Sequence, residues 1–177
     1  MLQIDQLVCL VTRPVSGSAA LRQAAHLLTA PGGAPARRPA LHVLSVGGGD
    51  AAAFEQAVQE ALGDLPARVA LETKVLGGGD DPAALPEALR RYAGEVGGGL
   101  LVLDPPSERG PIPPLADSDA KALVEALPCP IFLLGEAASP ASMERILVPT
   151  DLSDESVHTL RHATELAAGY DASVVLL

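Results

Sequence analysis

Short apolar runs of strand length alternate with amphipathic helical stretches along this chain, and the order starts afresh near its C-terminal end. Residues 143–177 read Met-Glu-Arg-Ile-Leu-Val-Pro-Thr-Asp-Leu-Ser, then an amphipathic helix, then Asp-Ala-Ser-Val-Val-Leu-Leu. That is a strand, a turn, a helix and a second strand. The same order opens at Leu7–Val11, where a complete set of strands and helices follows. Strand–helix alternation requires a parallel sheet with helical crossovers, which are right-handed. The expectation is one whole α/β domain, residues 1–137, followed by the first β-α-β unit of a second, incomplete domain, residues 143–177.

Leu7-Val-Cys-Leu-Val11 is continuously apolar, as a strand covered on both faces must be. Ser16 or Ser18 caps the next helix, whose inner stripe is Leu21, Ala24, Ala25 and Leu28. A second strand spans Leu41–Val46, and Asp50 caps a helix facing inward through Phe54, Ala57, Val58, Ala61 and Leu62. From Val69 to Val75 the pattern alternates, with Glu72 and Lys74 on one face. Charges on that face mark an edge strand. Asp80 or Asp81 caps a helix carrying Leu85, Leu89, Tyr92 and Val96, which Pro86 delays or kinks. Leu100–Leu103 and Ile131–Leu134 complete five strands. With the third at an edge, the expected fold is a doubly wound parallel five-stranded sheet of order 3-2-1-4-5. Residues 135–142 read as a linker.

Composition narrows the function classes. The net charge is -10 and the pI near 4.7, which disfavours nucleic acid and anionic membranes. Two Phe, two Tyr and no Trp leave no base-stacking platform. No apolar run approaches the ~18 residues of a membrane span. The N-terminus has no basic region leading into an apolar stretch, so no secretory signal is expected and the protein reads as cytoplasmic. Cys9 and Cys129 have neither metal-ligand nor disulfide-framework spacing, and reduced, buried thiols are expected.

Ile146-Leu-Val-Pro-Thr-Asp-Leu-Ser153 resembles the opening of a universal stress protein domain. The likeness continues through the Ala/Leu-rich helix, the Gly-Tyr-Asp-Ala turn and the Val-Val-Leu-Leu strand up to Leu177. Leu127-Pro-Cys-Pro-Ile-Phe-Leu-Leu134 is similar to the family's last helix end and fifth strand. The resemblance implies a tandem protein of Rossmann-like, adenine nucleotide alpha hydrolase-like fold, with a degenerate first domain and a truncated second one. Proteins of this family often bind ATP at the carboxyl ends of the strands. An aspartate after strand 1 meets the nucleoside, and a loop of pattern Gly-x2-Gly-x9-Gly-Ser/Thr after strand 4 cradles the phosphates.

On the first domain this pattern, counted back from Ser118, puts its glycines at Asp104, Ser107 and Asp117. All three are replaced, two by carboxylates. A carboxylate at a helix start caps the free N–H groups itself and repels a phosphate. The strand 1 aspartate is also lost, its counterpart being Thr12 or Arg13. The first domain is therefore not expected to bind ATP in the family manner. Arg13 and Arg109 read as solvated surface arginines. The second domain keeps Asp151, after Pro149 and Thr150, as the nucleotide-binding candidates, although Asp151 or Ser153 can simply cap the next helix.

The remaining constellations read as structural. The triple glycines at residues 47–49, 77–79 and 97–99 match no phosphate-loop pattern and read as turns. His158 and His162, with Glu155 and Glu165, share a helix face that could hold a metal. A buried side of Val157, Leu160, Thr164 and Ala167 would leave that face solvated, and no metal is expected. His26 and His42 show no partner in sequence, and no catalytic triad is visible.

The expectation is thus a non-enzymatic stress-response or regulatory protein that requires no cofactor. It would act as a homodimer through strand Ile131–Leu134 and the C-terminal unit, or through partner binding. The alternative is an adenine-nucleotide protein, with ATP held by Asp151 in a composite or swapped site and slow ATP hydrolysis. A third reading, a regulatory domain of a larger assembly, has no motif behind it.

Overall fold

The computed structural model of the chain describes residues 5–11, 14–29, 38–47, 49–76, 84–104, 124–134 and 143–177. Five strands form one sheet: β1 (Gln6–Val11), β2 (Ala40–Val46), β3 (Ala70–Leu76), β4 (Leu100–Leu103) and β5 (Ile131–Leu133). All neighbours pair in parallel and the order is β3-β2-β1-β4-β5. The fold class and strand order expected from sequence are thus observed.

The apolar run of β1 dictates this arrangement. Leu7, Val8, Cys9, Leu10 and Val11 are all buried, so both faces of the sheet need cover. Leu7, Cys9 and Val11 pack with α1 (Ala19–Thr29) and α2 (Ala51–Leu62) through Leu21, Ala24 and Val58. Val8 and Leu10 pack on the other face with α3 (Leu85–Val96), through Leu89, Tyr92 and Ala93, and with Leu127 and Cys129. Each such aliphatic side chain contributes about 1.5–3 kcal/mol on burial. β3 lies at the edge, and its Glu72 and Lys74 are exposed as the alternation required.

Local signals fix the helix ends. Ser18, rather than Ser16, accepts a hydrogen bond from Leu21 N at 3.0 Å and starts α1. Asp50 accepts from Ala52 N at 2.9 Å and starts α2. Within the described residues α3 begins at Leu85, with Pro86 in its first turn, where a missing N–H costs nothing. Asp80 and Asp81 lie outside the described residues. Gly97 ends α3 in the left-handed region, with φ of 64°.

A second, two-stranded parallel sheet joins β6 (Arg145–Val148) to β7 (Ser173–Leu176), with Ile146 opposite Val174. Helix α4 (Asp154–Tyr170) crosses between them. Its buried positions are Ala163 and Ala167, while Val157 and Thr164, expected inside, are exposed. Two strands present too narrow a surface to cover the wider stripe. His158 and His162 are exposed, as expected. The C-terminal end of α4 meets α1: the Gln23 amide Nε2 donates to Tyr170 Oη, and the His26 and Tyr170 rings lie 4.9 Å apart. His26, partnerless in sequence, therefore has one here. Burial raises the Tyr170 hydroxyl pKa, against the opposing pull of Gln23.

Two glycines of α3 separate backbone conformation from space. A Cβ at either Gly94 or Gly97 would meet nothing within 4 Å. Only Gly97 has a positive φ. Gly97→Ala is expected to lower stability by about 1–2 kcal/mol, and Gly94→Ala to raise it by about 0.5–1 kcal/mol. Urea denaturation of the two variants measures both.

Candidate functional site

In an open parallel sheet, ligands collect outside the carboxyl ends of the strands where the strand order reverses. Here that point lies between β1 and β4, which pair with each other while their crossovers run to opposite sides. A helix that follows the first strand turns its N-terminus toward this crevice. Its first N–H groups lack intrahelical partners and carry partial positive charge, which makes an anion site.

The structure fills that position from within. Asp104, the residue directly after β4, is 4% exposed. Its Oδ1 accepts from Ala20 N at 2.8 Å, and its Oδ2 accepts from the Ser18 hydroxyl at 2.9 Å. Ser18, itself fully buried, passes the chain on by accepting from Leu21 N. A carboxylate from 84 residues away thus satisfies the first turn of α1. Burying a carboxylate is tolerable because it is hydrogen-bonded by donors at a helix N-terminus. Cys9 lies in the same region. Its thiol pKa is raised well above the ordinary value, mainly by burial and further by the Asp104 charge, so Cys9 stays a protonated, unreactive thiol. Burial raises the Cys129 thiol pKa as well, and both cysteines are free and buried.

The sequence placed Asp104 at a lost glycine of a phosphate loop. The structure gives it a role that reading lacked, as the cap of α1. Ser107, Asp117 and Ser118 lie outside the described residues, as do Thr12, Arg13 and Arg109.

Pro149, Thr150 and Asp151 form the turn after β6. Asp151 is exposed, and its Oδ1 accepts from Ser153 N at 3.0 Å. Ser153's side chain and backbone together hold the Asp151 carboxyl below the usual carboxylate range. Ser153 caps α4 by accepting from Ser156 N at 3.3 Å. Thr150 Oγ1 accepts from Leu152 N at 3.0 Å and lies 2.9 Å from Ser156 Oγ, to which it donates. These bonds hold Leu152 at φ of 64°, in the left-handed region that a leucine seldom adopts. The turn is therefore organised by its own side chains. Asp151 and Asp104 follow strands of different sheets.

One further concavity, an open groove of about 720 Å³, runs between the start of α1 and α2. It is lined by Val15, Leu21 and Leu62 with Arg22 and Glu60, and Asp104 does not line it. Among the described residues, no group of three or more His, Cys, Asp or Glu is placed to hold a metal. Nor is any helix among them long and apolar enough to cross a membrane.

No protein-family model matches the chain, and no curated protein matches it.

The Asp104 cap generates a clear expectation. Asp104→Ala leaves Ala20 N and the Ser18 hydroxyl without their acceptor, and should cost about 1–3 kcal/mol of stability. Amide exchange should speed up selectively in the first turn of α1. Hydrogen-exchange mass spectrometry alongside urea denaturation measures both effects.

Proposed function

We propose that this chain is a universal-stress-protein-like, non-enzymatic regulatory protein that works by pairing with a second copy or with another protein. The observation that carries the reading is the Asp104 carboxylate at the α1 N-terminus. It occupies, with fixed negative charge, the place where a phosphate would bind, and like charge excludes a nucleotide there. The resemblance of Ile146–Ser153 to the opening of a universal stress protein domain supplies the family context.

Association is supported by apolar surface in the two regions singled out from sequence. On the outer edge of the large sheet, Leu133 is 50% exposed beside half-buried Ile131 and Phe132. On β6 and β7, Leu147 pairs with Val175 on the face that α4 leaves uncovered, and both are exposed. A contiguous exposed apolar strand face is a site of association.

The adenine-nucleotide alternative rests on Asp151, whose Oδ1 is already engaged by Ser153 N. Native mass spectrometry of the protein as purified tests both readings. The expected result is a dimer carrying no extra mass. A bound mass equal to an adenine nucleotide would overturn the proposal, and loss of that mass in Asp151→Ala would locate the site. Leu133→Glu and Val175→Glu, which place a carboxylate on each apolar face, are expected to shift the dimer to monomer by size-exclusion chromatography with light scattering. A protein that is monomeric at micromolar concentration, before any substitution, would remove the self-association arm.

A further inference from the structure

At the opposite end of the sheet another polar side chain is buried, away from Asp104 and the α1 N-terminus. His42 of β2 points to the α3 side and is 4% exposed. Three groups surround its ring. Nε2 lies 2.7 Å from Gln6 Oε1 of β1. Nδ1 lies 3.1 Å from Tyr92 Oη of α3 and 3.2 Å from Glu72 Oε2 of β3.

The chemistry of each partner assigns the protons. An amide oxygen only accepts, so Nε2 carries a hydrogen and donates to Gln6. In the neutral ring Nδ1 is then a lone pair. It accepts from the Tyr92 hydroxyl and has no attraction to the Glu72 carboxylate. Once the ring is protonated, Nδ1–H must donate. Its stronger acceptor is the Glu72 carboxylate, through a charge-assisted bond. The Tyr92 hydroxyl then loses its acceptor. Both contacts are already within bonding distance, so no side chain has to travel far.

Among the described residues, the titratable and charged groups near this ring come from β3 and α3. β3 contributes Glu72 and Lys74, and α3 contributes Tyr92, with Glu95 close enough to act on it. β1 contributes the neutral Gln6. Lys74 Nζ sits 4.7 Å above the Tyr92 ring, so the edge strand and the helix already touch here. The His42–Glu72 pair spans directly opposed residues of β2 and β3. The His42–Tyr92 bond spans the sheet and the helix that covers it.

We infer that His42 is a pH-sensitive switch built into the fold, bonded to helix α3 through Tyr92 when neutral and to edge strand β3 through Glu72 when protonated. Burial holds the His42 pKa below its ordinary 6.5, while Glu72 pulls the other way. The sign follows. A histidine whose pKa is lower in the folded state than in the unfolded chain stabilises the fold fully above the unfolded value. That contribution is lost as pH falls through the folded value. Acidification thus loosens α3 from the sheet and ties the edge strand in.

The test is a titration of the imidazole nitrogens by long-range proton–nitrogen NMR, from neutral to mildly acidic pH. Wild type, Tyr92→Phe and Glu72→Gln are compared. The expected neutral form carries its proton on Nε2. Tyr92→Phe removes a donor that favours the neutral ring, so the His42 midpoint should rise. Glu72→Gln removes the anion that favours the charged ring, so the midpoint should fall. Opposite shifts from two conservative variants are not produced by a general loss of packing. A neutral form protonated on Nδ1, or a midpoint that Tyr92→Phe leaves unchanged or lowers, overturns the inference. So does a midpoint that Glu72→Gln leaves unchanged.

Discussion

A carboxylate buried to 4% exposure binds the whole arrangement of the first five strands to one solution. Asp104 needs donors, and Ala20 N and the Ser18 hydroxyl are two that it finds. They can be there only if α1 starts beside the end of β4, so β4 must pair with β1, as it does. Taking these two donors from a carboxylate buried this deeply would be strongly destabilising. The cap thus disfavours alternative strand orders that β1 and β4, both plain apolar strands, would otherwise tolerate. The same two bonds occupy the start of α1, so one carboxylate both caps that helix and ties it to the end of β4.

Much of this was legible in the residues. The continuous apolar run Leu7–Val11 requires cover on two faces, and the charges at Glu72 and Lys74 require an edge, which together give the strand order. Caps within three residues of their targets, at Asp50 and at one of Ser16 and Ser18, were legible because the interaction is local. The Asp104 cap was not, because no periodicity links residues 84 apart. The only trace in sequence is a polar residue placed directly after a four-residue apolar strand. The histidine cluster was hidden in the same way. Gln6, His42, Glu72 and Tyr92 sit on four different elements, and only the register of β2 against β3 brings Glu72 opposite His42.

The inner stripe of α4 shows a different kind of miss. Periodicity reports which residues of a helix are apolar, not how wide a surface the helix meets. Val157 and Leu160 read as core, yet β6 and β7 together cover little more than the line through Ala163 and Ala167. Val157 is left exposed, and Leu147, Val175 and Leu176 are exposed on the strands. A parallel pair of strands with one helix is below the size that buries its own apolar residues. Its stability has to come from what it packs against.

Part of that support is visible in the contact between Tyr170 and α1. Gln23 is 3% exposed, and a buried amide is costly unless bonded. The Tyr170 hydroxyl accepts from it, while the ring lies tilted at 40° against His26. An aromatic residue at the end of a helix suits this role, since it offers a broad apolar face and one polar tip. The contact joins the C-terminal unit to the same helix whose first turn is held by Asp104. Ser18 to His26 spans little more than two turns of helix. Within that length α1 carries the tie to β4 at one end and the tie to α4 near the other. Loosening the start of α1 should therefore weaken the docking of α4, because both ties depend on the same helix keeping its length and direction.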